Sequence, residues 1–338
     1  MQYINHSLLN YIPNPQPYRM MKPIRLCILS LISLPVFHTD LSAQEFTLPV
    51  FPDTQVEVDV HMDMLHSQTD WIAANKQKEN IPFVLHVGDI VNYNNNIHWD
   101  RASLAFERLD NNFIPYALVN GNHDGGAVGE FTGSAAPGNT KINVRNTEKY
   151  NRYFPGSRYR NLRGTFEKGK NENSFHTFIA SGLNFMVLAL EFCPRETAVL
   201  WADSVVKQHP YYNVIVITHN YLTSKGQIDQ TNQGYGSLTS QAVYDKLIKK
   251  HKNILMVLSG HVCYSNSLVS TGDNGNKIYQ VLQDYQCEDA GGGYLRLLKI
   301  DPEKGTISGK MYSPFYKKFR TDNSTVEFTD VKFVKDYN

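Results

Sequence analysis

Asp53 and Gln55 in FPDTQ, Asp89 in VGDIV, Asn122, His123 and Asp124 in GNHD, His219 in ITHN and His261 in SGHV carry oxygen and imidazole groups of the kind that hold divalent metals. Each string closes an apolar run that reads as a β-strand. The steps from Asp53 to Asp89 and from Asp89 to Asn122 each match one strand–helix–strand unit of about 30 residues. Parallel strands joined by right-handed crossovers bring their carboxyl ends to one sheet edge. Groups scattered along the chain would therefore converge. A hydrolytic site built on two metal ions needs that convergence.

Taken in order, the five strings resemble the motifs of the calcineurin-like metallophosphoesterases: D-x-H, G-D-x-x, G-N-H-[DE], a lone His, and G-H-x-H. The second, third and fourth are matched in full. Gln55 stands in the His position of the first, and Cys263 replaces the second His of the last. The resemblance spans residues 46–263, and its specificity comes from the order of the five. G-D-I-V or G-N-H-D alone would be an ordinary strand-end turn.

The resemblance implies an α+β or α/β fold, a four-layer αββα sandwich of two mixed β-sheets flanked by helices. It implies Asp89 as the ligand bridging two ions roughly 3.5–4 Å apart, since each carboxylate oxygen can take one. Asp53 and Gln55 would complete the first ion's protein shell, and Asn122, His219 and His261 the second's. His123 would protonate the leaving oxygen, oriented by Asp124. A positioned imidazolium of this kind accelerates by about 10²–10⁴-fold. The implied reaction is hydrolysis of a phosphomonoester or phosphodiester (a small-molecule, lipid or nucleotide ester) by in-line attack of a metal-activated hydroxide. Arg195, just past the LALEF run, is the arginine favoured for holding phosphate. Arg158, Arg160 and Arg163 read as surface residues, and His86 inside FVLHV as a satisfied interior histidine.

Asp59-Val60-His61 spells D-x-H literally. Asp53 is preferred because FTLPVF gives it a preceding strand, whereas QVEV before Asp59 is polar. Asp59, His61 and Asp63 are then expected to line a surface loop. Metal identity turns on Cys263. If it is protonated or oxidised, the first ion sees mostly oxygen, which favours Mn or Mg over Zn; a thiolate would favour Zn or Fe. Asn with two His at the second ion suits Mn, Fe or Zn. The two departures also admit a second reading, a secreted non-catalytic binding protein on a degenerate scaffold. The full set at His123, Asp124, Asp89, Asn122, His219 and His261 argues for the enzyme.

The chain of 338 residues carries 33 Lys plus Arg against 32 Asp plus Glu, so no long-range field recruits nucleic acid or an acidic membrane surface. Lys22 and Arg25 precede an apolar stretch over residues 26–37, and Leu41-Ser42-Ala43 ends in a small residue. That pattern is a cleavable export signal over residues 21–43, too short to span a bilayer at roughly 20 apolar residues. Residues 1–20 read as a non-native upstream extension, with translation starting at Met20 or Met21. Residues 44–338 are expected to form one mature domain, secreted or periplasmic, without a transmembrane segment. Cys193, Cys263 and Cys287 then remain, an odd number that leaves at least one unpaired. All three follow strand-like runs, and Cys287 is the partner favoured for Cys263 if that residue is oxidised.

The elements expected to position the site follow from periodicity. FTLPVF, FVLHV and YALVN are early strands, separated by helices over residues 67–79 and 99–111, with Ser67 as an N-cap of the first. Residues 125–164 form a long, poorly periodic loop bordering the cleft. SFHTFIA and LNFMVLALEF pair as a hairpin through Ser181-Gly182. Helices over residues 196–208 and 239–251 flank VIVIT, and a strand-rich second half follows, with turns at residues 273–276 and 301–305.

Overall fold

Strand β1 (Phe46–Phe51) is buried at all six positions, as a near-continuous apolar run requires when both faces of a sheet are covered. The computed structural model describes residues 44–126 and 143–335. The export signal expected over residues 21–43, and the stretch before it, lie outside the described residues. No helix among the described residues is long and apolar enough to cross a membrane.

β1 pairs in parallel with β2 (Val84–His86), and β2 in parallel with β3 (Tyr116–Leu118). On its other side β1 pairs antiparallel with β11 (Leu295–Asp301), which leads to β12 (Thr306–Ser313), β13 (Lys318–Phe319) and β14 (Val326–Phe328). The second sheet runs in the order β4 (Leu162–Thr165), β5 (Ser174–Ala180), β6 (Leu183–Leu190), β7 (Asn213–Thr218), β8 (Ile254–Ser259), β10 (Lys277–Gln283) and β9 (Ser265–Thr271). Its central strands β6, β7, β8 and β10 are mutually parallel.

Both sheets are therefore mixed, and their inner faces meet. Leu48, Val50, Leu85 and Ala117 pack against Phe185, Val187, Ile217, Leu258 and Val281. The outer face of the first sheet is covered by α1 (Gln55–Val60), α2 (Met62–Asn75) and α3 (Asn96–Asn111), through Val58, Leu65, Trp99 and Phe106. The outer face of the second is covered by α5 (Glu196–Gln208) and α6 (Ser240–Lys246), through Val199, Ala202, Val206 and Val243. This is the expected four-layer αββα sandwich.

Several local expectations change. α2 begins at Met62, so Ser67 lies inside it and bonds the Met64 carbonyl at 2.7 Å instead of capping. Asp59 belongs to α1 and His61 joins α1 to α2, so that stretch is helical and not a surface loop. Its D-x-H lies away from a strand end, and Asp59 takes a hydrogen bond from Asn92 Nδ2 at 2.7 Å. Residues 125–164 are not all loop: α4 (Glu148–Tyr153) and the start of β4 fall within them, while 127–142 lie outside the described residues. The helix expected over 239–251 is capped by Thr239, stops at Lys246 and gives way to a 3₁₀ turn at Ile248–Lys250.

The two sheets are clamped at one edge. Gln283 at the end of β10 donates from Nε2 to the Val50 carbonyl of β1 at 3.3 Å and accepts at Oε1 from Arg296 Nε of β11 at 2.7 Å. Arg296 is fully buried, and its remaining donors go to the Ser324 and Gly309 carbonyls and to Ser265 Oγ. A buried guanidinium without a carboxylate partner is tolerable because neutral acceptors take its N–H groups.

Candidate metal centre

The carboxyl ends of β1, β2, β3, β7 and β8 release Asp53, Asp89, Asn122, His219 and His261 at one edge. The imidazole of His219 is fully buried, and its Nδ1 meets the Val87 carbonyl at 2.9 Å. A carbonyl only accepts, so Nδ1 carries the hydrogen. Nε2 therefore faces Asn122 Oδ1 at 3.1 Å, Asp89 Oδ2 at 3.2 Å and Asp53 Oδ2 at 3.9 Å. A ring nitrogen ringed by oxygens needs a cation or a proton among them. Among the described residues, Asp89, His219 and His261 each place a ligand atom within 4.8 Å of the others.

Asp53 Oδ1 and Gln55 Oε1 are buried oxygens without a hydrogen-bond partner among the described residues. Buried polar atoms normally find a partner, and an ion would satisfy both. The charges agree. Burial pushes the Asp53 carboxyl well up, and Asp284 and Asp89 push it further. Burial also raises Asp284 to about 6, and burial with Asp89 raises Asp124 to about 7. Burial acts against the Asp89 carboxylate as well, yet His219 and His123 hold it below the usual range. His219 is raised: burial opposes its charge, but Asp89 outweighs burial. Burial and His219 lower His261 to about 3, which keeps it neutral as a ligand must be. Crowded buried carboxylates, neutral imidazole and orphaned oxygens fit divalent cations.

Backbone amides hold the acids in place. Asp53 Oδ2 accepts from His261 N at 2.9 Å, and Asp89 Oδ1 from His123 N at 2.8 Å. Close approach explains two glycines: a β-carbon on Gly121 would overlap Asp89 Oδ1, and one on Gly260 would overlap Asp53 Oδ1. Asp89 and His261 sit at φ 51° and 72°, strain of about 1–3 kcal/mol each that surrounding bonds must offset. Phe192 packs edge-on against His219 and at a tilt against His261, and Tyr235 packs on Phe192.

His123 and Asp124 adjoin but do not pair. The His123 Nδ1 meets the Asn92 carbonyl at 2.9 Å, so Asn92 sets the ring's tautomer. Asp124 is fully buried and accepts from Gly121 N at 2.7 Å, Val91 N at 3.0 Å and Ile90 N at 3.2 Å. The expected orientation of His123 by Asp124 is thus corrected: this carboxylate is committed to three backbone amides and shapes the loops carrying Asp89 and Asn122.

Arg195 also needs correction as a phosphate contact. Its guanidinium is bound by Glu167 and Glu191, which neutralise it as a strut. Arg158 binds Asp110 and Ser103, Arg160 lies over the Phe113 ring, and Arg163 bonds Thr177. His86 is satisfied by Thr54 Oγ1 and Gly88 N. Cys263 forms a disulfide with Cys287, Cα to Cα 5.8 Å, so its sulfur offers no thiolate; Cys193 is free and buried.

Three contributors escaped the motif search. Asp284 follows β10 and is buried. Its signal was the same as that of Asp89, an apolar run ended by Asp. The Gln233 side chain meets His261 Nε2 at 2.9 Å from a loop with no sequence signature. The Asn92 carbonyl acts through the backbone, which residue identity does not encode.

Two outcomes follow from these contacts. Asp124→Asn, which offers one acceptor where the carboxylate offers two, should lower stability by about 1–3 kcal/mol. It should also weaken metal retention, read by denaturant titration and metal analysis. Loss of turnover with stability and metal unchanged would return Asp124 to a direct catalytic role. The double variant Cys263→Ser, Cys287→Ser should keep the wild-type metal content while losing about 3 kcal/mol of stability through the opened loop. Loss of an ion at unchanged stability would mean that sulfur contributes to binding.

Comparison with known proteins places this geometry in a family. The family model of the calcineurin-like phosphoesterases matches residues 53–265, more than half of the chain. Uncharacterized protein YvnB of Bacillus subtilis (strain 168) is 29% identical over 290 residues, covering 80% of this chain and 20% of that protein. The chain thus spans about a fifth of the length of this relative. Purple acid phosphatase PPD1 from yellow lupin (Lupinus luteus) seeds superposes with a TM-score of 0.52 at 15% identity, over 87% of this chain and 54% of that one. It shares the fold. GAP50, the anchor in the inner membrane complex of Plasmodium, superposes more loosely, with a TM-score of 0.41 at 12% identity over 86% and 90% of the two chains. The family match starts at Asp53 and takes in every one of the five motifs, and on it the chain belongs to the calcineurin-like phosphoesterase family.

Proposed function

We propose that this chain is an exported metal-dependent phosphoesterase that hydrolyses a phosphomonoester or phosphodiester at a dinuclear centre. Residues 44–338 form its mature domain after cleavage near Ala43. The observation that carries the reading is His219 Nε2, turned by the Val87 carbonyl towards Asn122, Asp89 and Asp53. Asp89 would bridge, with Asp53 and Gln55 on the first ion and Asn122, His219 and His261 on the second. When bound, the ions would supply an activated water and neutralise charge on the phosphoryl oxygens. Manganese, iron or zinc suits the nitrogen-containing second position, and magnesium is an option only at the first.

The chain's own groups do the rest. His123 is part-exposed, and its Nδ1 hydrogen is held by Asn92. The proton it can transfer is therefore the one on Nε2, to the leaving oxygen. Asp124 keeps the Asp89 and Asn122 loops in register through its amide bonds. The buried Phe192 ring fixes the planes of His219 and His261, which limits the reorganisation needed on binding.

Metal reconstitution of the mature chain, followed by a panel of phosphomonoesters and phosphodiesters, tests the reading. Two ions and turnover support it; one ion or none, without turnover, makes the protein a binding module on a degenerate scaffold. Within that assay Asp89→Ala should abolish activity by loosening both ions. His123→Ala should retain metal and lose about 10²-fold or more in turnover, less for esters with good leaving groups. Equal losses across leaving groups would exclude His123 as the proton donor. For export, N-terminal sequencing of secreted material should find a start at or near Gln44, and a retained leader would count against cleavage there.

A further inference from the structure

The first ion is short of ligands. The match to the family departs at Gln55 and Cys263, and both positions fall on this ion. Cys263 is tied to Cys287, which leaves Asp53, Gln55 and Asp89. We propose that Asp284, at the carboxyl end of β10, is a fourth protein ligand of the first ion and makes that position an all-oxygen site for a hard divalent cation such as manganese or magnesium. The inference rests on the dinuclear reading above and adds a residue beyond the family match, which ends at residue 265.

The topology brings Asp284 there. β10 lies parallel to β8 with Leu282 opposite Ser259. Two residues further along each strand come Asp284 and His261. The Asp284 backbone N–H donates to the Tyr264 carbonyl at 3.0 Å, pinning it to the loop that follows His261. Its neighbour Gln283 fastens the same strand end to Val50 of β1, three residues before Asp53.

The side chain is poised as a ligand would be. It is 1% exposed, and its only hydrogen bonds among the described residues come from Gln286, N to Oδ1 at 3.0 Å and Nε2 to Oδ2 at 3.2 Å. Each carboxylate oxygen keeps a further lone pair. Among the described residues no Lys or Arg forms an ion pair with it. Asp53 is bound at the same edge, its Oδ2 accepting from the His261 amide three residues before Tyr264, whose carbonyl holds the Asp284 amide. Asp53 Oδ1 and Gln55 Oε1 are buried oxygens without hydrogen-bond partners among the described residues. Like charges buried together without a counter-ion are costly, and a cation between them removes the cost. Four oxygens and no nitrogen or sulfur favour manganese or magnesium over zinc.

Metal-free wild type, Asp284→Asn and Asp284→His proteins distinguish this role. Calorimetric titration with Mn²⁺, metal analysis and thermal unfolding with and without Mn²⁺ would be read on each. Wild type should take two ions. Asp284→Asn should weaken one of them by more than 10²-fold, beyond the roughly 10–100-fold that an outer-sphere partner costs, and leave the other unchanged. The Mn²⁺-induced rise of its unfolding midpoint should shrink relative to that of wild type. Asp284→His should turn the preference of that position from manganese towards zinc. Two ions bound with wild-type affinity by Asp284→Asn overturn the inference and leave the phosphoesterase reading intact. An Asp284→His variant that keeps the wild-type preference between manganese and zinc also overturns it. Fewer than two ions on wild type removes the dinuclear reading and this inference together.

Discussion

Buried carboxylates gathered at one sheet edge repel one another, and here backbone amides hold each of them in place. The amide of His261 binds Asp53, that of His123 binds Asp89, and those of Ile90, Val91 and Gly121 bind Asp124. Every one of these acids except Asp124, at its Gly121 bond, is gripped by a loop from a different strand. The loops are therefore set relative to one another by the acids they surround. A hydrogen bond to a charged group contributes about 1.5–3 kcal/mol. Asp124 alone has three, and they hold the segment that follows the left-handed Asp89, while the Asp53 carboxylate holds the amide of the left-handed His261.

The same edge is where the two sheets must agree. Asp53 and Asp89 come from one sheet, His219 and His261 from the other, so sliding between layers would pull the site apart. Gln283 and Arg296 prevent it with buried hydrogen bonds to neutral acceptors, running from β10 to β1 and β11. The Cys263–Cys287 disulfide ties the loops after β8 and β10 on the same side. The position that would have ligated by sulfur has become part of the frame.

Much of this was legible in the chain because strand ends carry two signals at once, an apolar run and a polar residue that stops it. Asp53 was separated from Asp59 on that ground, and α1 now carries Asp59 on a helix. The hairpin through Ser181 and Gly182 and the helix Glu196–Gln208 stand where periodicity put them. What failed was pairing. Asp124 follows His123 directly, but adjacent residues point apart, and a buried carboxylate among free amides goes to the amides. Arg195 looked available because one partner, Glu167, is distant in sequence, and nothing in the string showed that Glu191, four residues before it, turns back to the guanidinium. Asp284 was passed over because no motif flags it, although KIYQVLQ ends in Asp just as FVLHVG does.

The two departures at Gln55 and Cys263 then have a common physical consequence. On the proposed dinuclear reading both remove nitrogen from one ion's surroundings, and neither touches the other ion, which Asn122, His219 and His261 would hold. With Asp284 the first position becomes oxygen throughout, harder and more negative, while the second keeps two imidazoles. Zinc is disfavoured at the first position by its preference for nitrogen and sulfur, and magnesium at the second by its reluctance to accept imidazole. Manganese and iron tolerate both environments. The asymmetry therefore favours either a matched manganese or iron pair or a mixed pair with the harder ion beside Asp284. In both cases the softer ion would be the one held by His219 and His261, the two imidazoles that pack against the Phe192 ring.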